Sequence, residues 1–125
     1  MLTVFIDGDQ GTTGLRVRER LAGREDLTLL SLPQETRKDL DARAAMARQA
    51  DATILCLPDA ASRELVAALG ESEGVILDAS TAHRTDPRFT YGFPELGAAQ
   101  EQAVKSARRI AVPGCHASGF IALVR

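Results

Sequence analysis

The chain has 125 residues, of which 45% are apolar and 26% charged, and its formal net charge is −2. This length is enough for one domain with a core, and the composition is that of an ordinary globular protein. The small net charge and the 4% aromatic content give no reason to expect nucleic acid or an anionic membrane as a partner. No segment approaches the ~20 apolar residues that span a bilayer. The N-terminus does not resemble a signal peptide, so we expect a cytoplasmic protein.

Apolar segments alternate with helical patterns along the chain. In chain order, we predict a strand over residues 2–6, a helix over 13–21, a strand over 27–32, a helix over 40–50, a strand over 52–57, a helix over 60–69, a strand over 75–79, an irregular stretch over 80–94, a helix over 95–107, a strand over 109–112 and a helix from His116 onward. This alternation is typical of an α/β domain with an open parallel sheet and right-handed crossovers.

The loop between the first strand and the first helix carries regularly spaced glycines, Gly8, Gly11 and Gly14. This spacing is a variant of the dinucleotide-binding fingerprint, in which glycines permit a tight turn and a close approach to phosphate. The helix N-terminus then offers free N–H groups to the pyrophosphate, and Thr12 and Thr13 add hydroxyl donors. A simple strand-to-helix turn would need only one glycine. The loop therefore predicts a Rossmann-like dinucleotide-binding domain over residues 1–125.

The end of the second strand bears on which dinucleotide binds. An acid at this point favours NAD, because it accepts a hydrogen bond from the ribose 2′-hydroxyl. Here the strand ends around Ser31, and Arg37 and Lys38 follow. Two cations suit a 2′-phosphate, although Glu35 lies nearby and a solvated charged turn is an alternative interpretation. We predict NADP as the cofactor, with Ser31, Arg37 and Lys38 among its contacts.

The end of the third strand supplies the other side of the predicted cofactor site. Ligands of open α/β sheets bind outside the carboxyl ends of the strands, so Leu57 and Pro58 are expected to face the cofactor. Cys56 precedes them inside the apolar strand, where a buried, inert thiol is expected. The other cysteine, Cys115, is far away in sequence. The two make neither a metal-ligand spacing nor a disulfide framework, and we predict no metal.

The turn around Cys115 is the candidate catalytic site. This cysteine stands where a strand gives way to a predicted helix, and a helix N-terminus stabilises a thiolate. Gly114 before it, and Ser118 and Gly119 after it, leave room for a substrate at the sulfur. A small buried cysteine that packs the turn is the alternative, but these neighbours favour a nucleophile. His116 is adjacent, and adjacent side chains at a helix start point apart, so it is not the expected base.

Polar residues after the fourth strand are candidate substrate contacts. Ser80, His83 and Arg84 lie close together in the irregular stretch. Their hydroxyl, imidazole and guanidinium groups would suit an anionic substrate. A polar surface loop with a capping role is an equally open interpretation.

Four segments, in this order, resemble N-acetyl-γ-glutamyl-phosphate reductases. They are the glycine loop over residues 8–14, DASTAHR over 78–84, YGFPEL over 91–96 and the PGC sequence that ends at Cys115. The glycine loop is shared with many dehydrogenases, whereas YGFPEL and PGC together are much more specific. The forms ASTAHR and PGCHASG are similar to the shorter, second type of this enzyme. Aspartate-semialdehyde dehydrogenase is the nearest alternative enzyme, and YGFPEL argues against it.

The resemblance implies an NADPH-dependent reductase of arginine biosynthesis. In that family Cys115 would attack the acyl phosphate of N-acetyl-glutamyl 5-phosphate, phosphate would leave, and the thioester would be reduced to N-acetyl-glutamate 5-semialdehyde. It also implies a catalytic histidine in a downstream α+β domain, which is absent here and to which neither His83 nor His116 corresponds. A non-catalytic NADP-binding module is the alternative from another class.

The last residues of the chain are apolar and carry no helix stop signal. We interpret the chain as the NADP-binding part of a longer enzyme, ending just after the catalytic cysteine and inactive alone. The full-length form is expected to be a homo-oligomer.

Overall fold

The computed structural model describes residues 2–70, 74–84, 86–92 and 97–112. In chain order these residues form β1 (Leu2–Asp7), α1 (Thr12–Ala22), β2 (Leu27–Leu30), α2 (Leu40–Gln49), β3 (Ala52–Leu55), α3 (Asp59–Leu69), β4 (Val75–Asp78), β5 (Thr90–Tyr91), α4 (Ala98–Ser106) and β6 (Arg109–Ala111). The strands form one open sheet in the order β2-β1-β3-β4-β6-β5. Every neighbouring pair is parallel, so the predicted α/β class is confirmed.

The strand order reverses at β1. The chain passes from β1 to β2 on one side, and then returns through α2 to β3 on the other side. The register pairs Val4 with Leu29 on one neighbour and with Ala52 on the other. Where neighbouring connections run to opposite sides of a sheet, a crevice opens at the carboxyl ends of the strands. Ligands of doubly wound sheets bind in such a crevice. The glycine loop follows β1 directly and therefore lies at this point.

The core lies on the face of the sheet that α2 and α3 cover. Its most buried apolar side chains come from three strands and one helix, and they are Phe5, Leu55, Ile76 and Leu65. Ala44 and Ala47 of α2 complete this cluster, because their small side chains let the helix approach the strands. The buried apolar area stabilises the sheet and fixes the strand ends relative to one another.

The predicted and observed elements differ most after β4 and at the end of β3. The irregular stretch over residues 80–94 contains a sixth strand, Thr90–Tyr91, which pairs with β6. Two residues are too few to show alternation, so only the pairing identifies this strand. The third strand ends at Leu55 rather than at residue 57, which leaves the following residues in the loop before α3. The predicted helix from His116 lies outside the described residues.

The helices of the described part are short. None of them is long and apolar enough to cross a membrane. The longest, α1 and α3, have 11 residues each, which is about half of what a bilayer requires.

Candidate dinucleotide-binding site

The turn after β1 is built around two glycines that no other residue would replace without strain. Gly8 has a φ of +87°, and a Cβ there would lie 2.3 Å from the carbonyl oxygen of Cys56. A Cβ on Gly14 would lie 2.1 Å from the carbonyl oxygen of Gly8. The first glycine thus lets the turn pass the end of β3, and the second lets α1 start against the turn. This close three-way approach is what the dinucleotide fingerprint requires.

The N-terminus of α1 faces the space above this turn. Gly11 is its N-cap and offers no side-chain cap, and the first turn of the helix contains no acidic residue. Thr12 and Thr13 begin the helix and are exposed. Free N–H groups and the positive end of the helix dipole therefore point toward solvent, an arrangement that binds phosphate.

The predicted cofactor residues from two loops meet at one cavity. This cavity has a volume of about 270 Å³ and is lined by Gly11, Thr12, Thr13, Leu57 and Pro58, together with Cys56 and Ala79. It joins the start of α1 to the ends of β3 and β4. A larger cavity of about 570 Å³ lies beside the start of β6, and none of the predicted site residues lines it. We take the smaller cavity as the site, because it combines the glycine turn with the helix N-terminus.

Cys56 was predicted to lie inside the third strand, but it lies just after that strand and lines this cavity. It follows the last residue of β3, is half-buried, and donates its backbone N–H to the carbonyl oxygen of Asp7 over 2.9 Å. Burial, together with the carboxylates of Asp7 and Asp78, raises the pKa of its thiol to about 11. The thiol is therefore protonated at neutral pH, which agrees with the predicted lack of reactivity.

The end of β2 brings together three residues, two of which the sequence did not single out. Arg18 on α1 donates hydrogen bonds from Nη1 to Oδ2 of Asp9 and to Oγ of Ser31, and each donor–acceptor distance is 2.7 Å. Asp9 belongs to the glycine turn and is almost fully buried. Ser31 is thus placed at the expected edge. Arg18 and Asp9 carried no signal beyond their charge, because their contact spans nine residues from turn to helix.

The two cations predicted to bind a 2′-phosphate lie in the turn between β2 and α2. Arg37 is half-buried and Lys38 is exposed. Backbone hydrogen bonds from Thr36 to Pro33 and from Asp39 to Thr36 shape this turn. Neither cation takes part in an ion pair within the described ranges. They lie at the same edge of the sheet as Ser31, and their contact with a cofactor stays a prediction.

A buried ion pair lies below the glycine turn. Asp7, the last residue of β1, accepts a hydrogen bond from Nε of Arg43 on α2 over 2.8 Å. Burial raises the pKa of the Asp7 carboxyl, and the hydrogen bond from Arg43 partly offsets this effect. Nη2 of Arg43 is buried and has no partner within the described part of the chain. The pair ties α2 to the strand that carries the glycine turn.

The polar residues after β4 form a buried network around Asp78. One carboxylate oxygen, Oδ1, accepts hydrogen bonds from Oγ of Ser62 at 3.2 Å and from the backbone N–H of Ser80 at 2.9 Å. The other, Oδ2, lies 2.5 Å from Nδ1 of His83. The His83 ring also stacks on Phe89, with centroids 4.2 Å apart. Ser80 and His83 are therefore largely enclosed by the protein, and their substrate contacts stay predictions.

Arg84 links this loop to the strand that precedes the cysteine turn. Its Nε donates to the carbonyl oxygen of Val112 over 3.1 Å, and its Nη2 donates to the carbonyl oxygen of Ala79 over 3.4 Å. The N–H of Val112 in turn donates to the carbonyl oxygen of Asp78 over 2.8 Å. Val112 is thus held from both sides at the carboxyl edge. Cys115, the predicted nucleophile, follows three residues later and lies outside the described residues.

Groups of metal-ligating side chains are not found in the part of the chain that the structure describes.

Residues 3–105 match the protein family described as semialdehyde dehydrogenase, NAD binding domain. This match covers most of the chain, including the glycine turn and the Asp78 network. A nicotinamide dinucleotide is thus the class of ligand that the family binds.

Curated relatives cover almost the whole of this chain. It is 53% identical over 123 residues to N-acetyl-gamma-glutamyl-phosphate reductase of Burkholderia lata, with 98% of this chain and 39% of the relative aligned. It is 50% identical over 121 residues to N-acetyl-gamma-glutamyl-phosphate reductase 2 of Pseudomonas putida, with 97% and 39% aligned. The relative from Rhizobium meliloti is 51% identical over 123 residues, with 98% and 40% aligned. These matches confirm the resemblance seen in the sequence. The chain spans about two-fifths of the length of these relatives.

Solved structures share the fold at much lower identity. Aspartate semialdehyde dehydrogenase of Francisella tularensis superposes with a TM-score of 0.65 at 18% identity, over 91% of this chain and 36% of that chain. Aspartate semialdehyde dehydrogenase II of Vibrio cholerae, complexed with ASA, gives a TM-score of 0.69 at 18% identity, over 97% and 44%. This likeness concerns the fold alone, and it confirms the Rossmann-like architecture.

Proposed function

Because the chain belongs to the family of semialdehyde dehydrogenase NAD-binding domains, we propose that it is the cofactor-binding part of an N-acetyl-γ-glutamyl-phosphate reductase of arginine biosynthesis. The observation that carries this proposal is the glycine turn packed against α1 and β3, with the predicted loop residues around one cavity. The curated relatives at about half identity support the same reaction. They are longer than this chain, so the reaction is proposed for the protein that carries the domain.

The cofactor fits the residues that are present. The cradle beside Gly8 and Gly14 has no room for a side chain, and the first turn of α1 offers N–H groups and hydroxyls. Thr12 and Thr13 would hold the pyrophosphate, and the loop containing Pro58 would contact the half of the cofactor that extends toward β3 and β4. The bound cofactor supplies the hydride for the reduction.

NADP(H) is proposed rather than NAD(H). Arg37 and Lys38 support this choice, because they lie after the second strand and are not engaged in ion pairs of the described residues. A charge-assisted contact to a 2′-phosphate contributes about 1.5–3 kcal/mol. The Arg37→Ala, Lys38→Ala double variant should therefore bind NADPH more weakly while its affinity for NADH stays nearly the same. If the ratio of the two affinities does not change, these cations are not the contacts.

Cys115 is proposed as the nucleophile. Its thiolate attacks the acyl carbon, the bond to phosphate breaks and phosphate leaves with the electron pair, so that a thioester forms. The contribution of the described residues is to place the strand before it: Arg84 and Asp78 hold Val112 at the edge where the cofactor cavity lies. Ser80 and His83 are proposed on the substrate side of the same edge.

The proposed activity is tested with the complete protein that carries this domain and with N-acetyl-glutamate 5-semialdehyde, by following phosphate-dependent reduction of NADP. Cys115→Ser should abolish this reduction of NADP, whereas the matched Cys56→Ser variant should retain it. Aspartate semialdehyde serves as the competing substrate, and a preference for it would refute the proposed substrate. Binding of NADPH without turnover of either substrate by the complete protein would favour the non-catalytic module. A cytoplasmic homo-oligomer is proposed for the complete enzyme.

A further inference from the structure

We infer that Arg18, held by Asp9 and Ser31, binds the 2′-phosphate of NADP(H). This inference rests on the proposed function, and it assigns the preference for NADP to a residue on α1. It concerns a contact that no pattern in the sequence indicated. Arg37 and Lys38, in the turn after β2, would add to this contact from the other side of Ser31 in the sequence.

The position of Arg18 follows from its two hydrogen bonds. Its Nη1 lies 2.7 Å from Oδ2 of Asp9 and 2.7 Å from Oγ of Ser31. The Asp9 side chain is 6% exposed and that of Arg18 is 43% exposed. One end of the guanidinium is therefore anchored in the protein, while the side chain as a whole stays partly accessible to solvent.

The free edge of this guanidinium is a preformed receptor for an anion. A guanidinium has five N–H donors, and the two on Nη1 are used by Asp9 and Ser31. The donors on Nε and Nη2 have no partner in the part of the chain that the structure describes. They form a planar fork that matches two oxygens of a phosphate group. Because the anchor already fixes the side chain, little rotamer entropy is lost when the anion binds.

The receptor lies where the ribose 2′ position is expected. Ser31 follows the last residue of β2, and β2 is the neighbour of β1 on the side toward which α1 crosses. In doubly wound domains the pyrophosphate lies at the start of the first helix, and the adjacent ribose reaches the end of the second strand. Arg18 lies between these two points, since α1 begins at Thr12 and packs beside β2.

The same contacts argue against an NAD-type site at Asp9. A carboxylate at the end of the second strand favours NAD when it can accept a hydrogen bond from the 2′-hydroxyl. Asp9 is near that end, with Oδ2 3.4 Å from Oγ of Ser31. However, Arg18 covers this oxygen and compensates its charge. The surface offered to the nucleotide is therefore the cationic side of the pair.

The test compares the affinities of NADPH and NADH, measured by fluorescence titration of the purified protein. Arg18→Ala should lower the affinity for NADPH by about 10- to 100-fold and that for NADH by less than about threefold. Arg20→Ala is the matched control, because it removes the same charge from an exposed position of the same helix. Arg18→Lys should show an intermediate loss, because it keeps the charge without the fork.

The ratio of the two affinities guards against an effect of folding. Arg18→Ala leaves the Asp9 carboxylate without its cation, which can destabilise the fold. An unfolded fraction lowers the apparent affinities for NADPH and NADH equally, so the ratio of the two affinities within one variant is unaffected. An unchanged ratio in a protein that prefers NADPH would overturn the inference and leave the proposed function intact. A wild-type preference for NADH would also overturn it, and loss of that preference in Asp9→Asn would assign it to the Asp9 carboxylate instead. Failure of the wild-type protein to bind either nucleotide would refute the proposed function itself.

Discussion

Gly14 is a position where local helix propensity and tertiary packing predict opposite effects. It is the third residue of α1, and alanine is favoured over glycine inside a helix by about 1 kcal/mol. The Cβ of Gly14→Ala would however lie 2.1 Å from the carbonyl oxygen of Gly8 and 2.8 Å from Cα of Asp9. Both neighbours are backbone atoms, so no side chain can rotate away. The turn or the helix has to move by more than 1 Å to restore ordinary contact.

The net effect of Gly14→Ala should be a loss of stability. Overpacking of this kind costs about 1–3 kcal/mol, and occasionally more, which exceeds the gain from helix propensity. We expect a net loss of up to about 2 kcal/mol, which lowers Tm by up to roughly 10 °C for a domain of this size. The same shift moves the N–H groups of α1 away from the phosphate position, so NADPH affinity should fall as well.

Two further glycines serve as controls for this substitution. Gly23→Ala has nothing within 4 Å of the added Cβ, so its Tm should stay the same or rise slightly. Gly11→Ala meets only the Gly8 carbonyl oxygen at an ordinary 3.5 Å but lies at the cavity. It should therefore weaken NADPH binding with little change in Tm. Thermal unfolding and NADPH titration of the three variants check the argument, and a Gly14→Ala protein as stable as Gly23→Ala would refute it.

Three other expectations follow from the site. Because the pKa of Cys56 is raised from 9.0 to about 11, its alkylation rate should rise about tenfold per pH unit from pH 7 to 10. The stability that comes from its protonated form should be lost as pH rises from 9 through 11. An alkylation rate that levels off near pH 9, or slower alkylation of Cys115 than of Cys56 at neutral pH, would contradict this. His83→Ala removes one hydrogen-bond partner of the buried Asp78 side chain, which keeps those from Ser62 and Ser80. Chemical denaturation should therefore show a loss of about 1–3 kcal/mol, and a smaller loss in His83→Gln. Equal stability of His83→Ala and wild type would count against the network. A protein limited to these 125 residues should bind NADPH but reduce no NADP with semialdehyde and phosphate, because the resemblance implies a catalytic histidine in a further domain. General acid–base help of this kind contributes about 10²–10⁴-fold. Robust turnover would refute that dependence.

Features that depend on neighbouring residues along the chain could be predicted from the sequence. The apolar runs gave the strands, and the sheet confirmed their number apart from the two-residue β5. The need for glycine at Gly8 and Gly14 was predictable, because a tight strand-to-helix turn restricts φ and leaves no room for Cβ atoms. The strand order could be expected only as a class, since periodicity does not state which strands are neighbours.

Contacts between charged side chains were decided by the tertiary structure. Asp7 and Arg43 are 36 residues apart, and each is an ordinary surface residue by its type. Their burial follows from the packing of α2 on β1, which only the completed sheet defines. His83 was singled out for its chemistry, but the fold places it against Asp78 and away from solvent. A sequence pattern does not distinguish these outcomes, because water and a distant partner satisfy a polar group equally well.

The sequence by itself determined the class of the domain and the position of the glycine turn after β1, since both follow from local conformational limits. The choice of Arg18 as the cation at the end of β2 came from the tertiary structure. Arg16, Arg18 and Arg20 are equivalent in type and lie on one helix, and Arg18 alone of the three contacts both the glycine turn and the β2 end in the described part of the chain. Which arginine meets Asp9 and Ser31 depends on how α1 is rotated against the sheet, and that rotation is set by the close contact of Gly14 with Gly8.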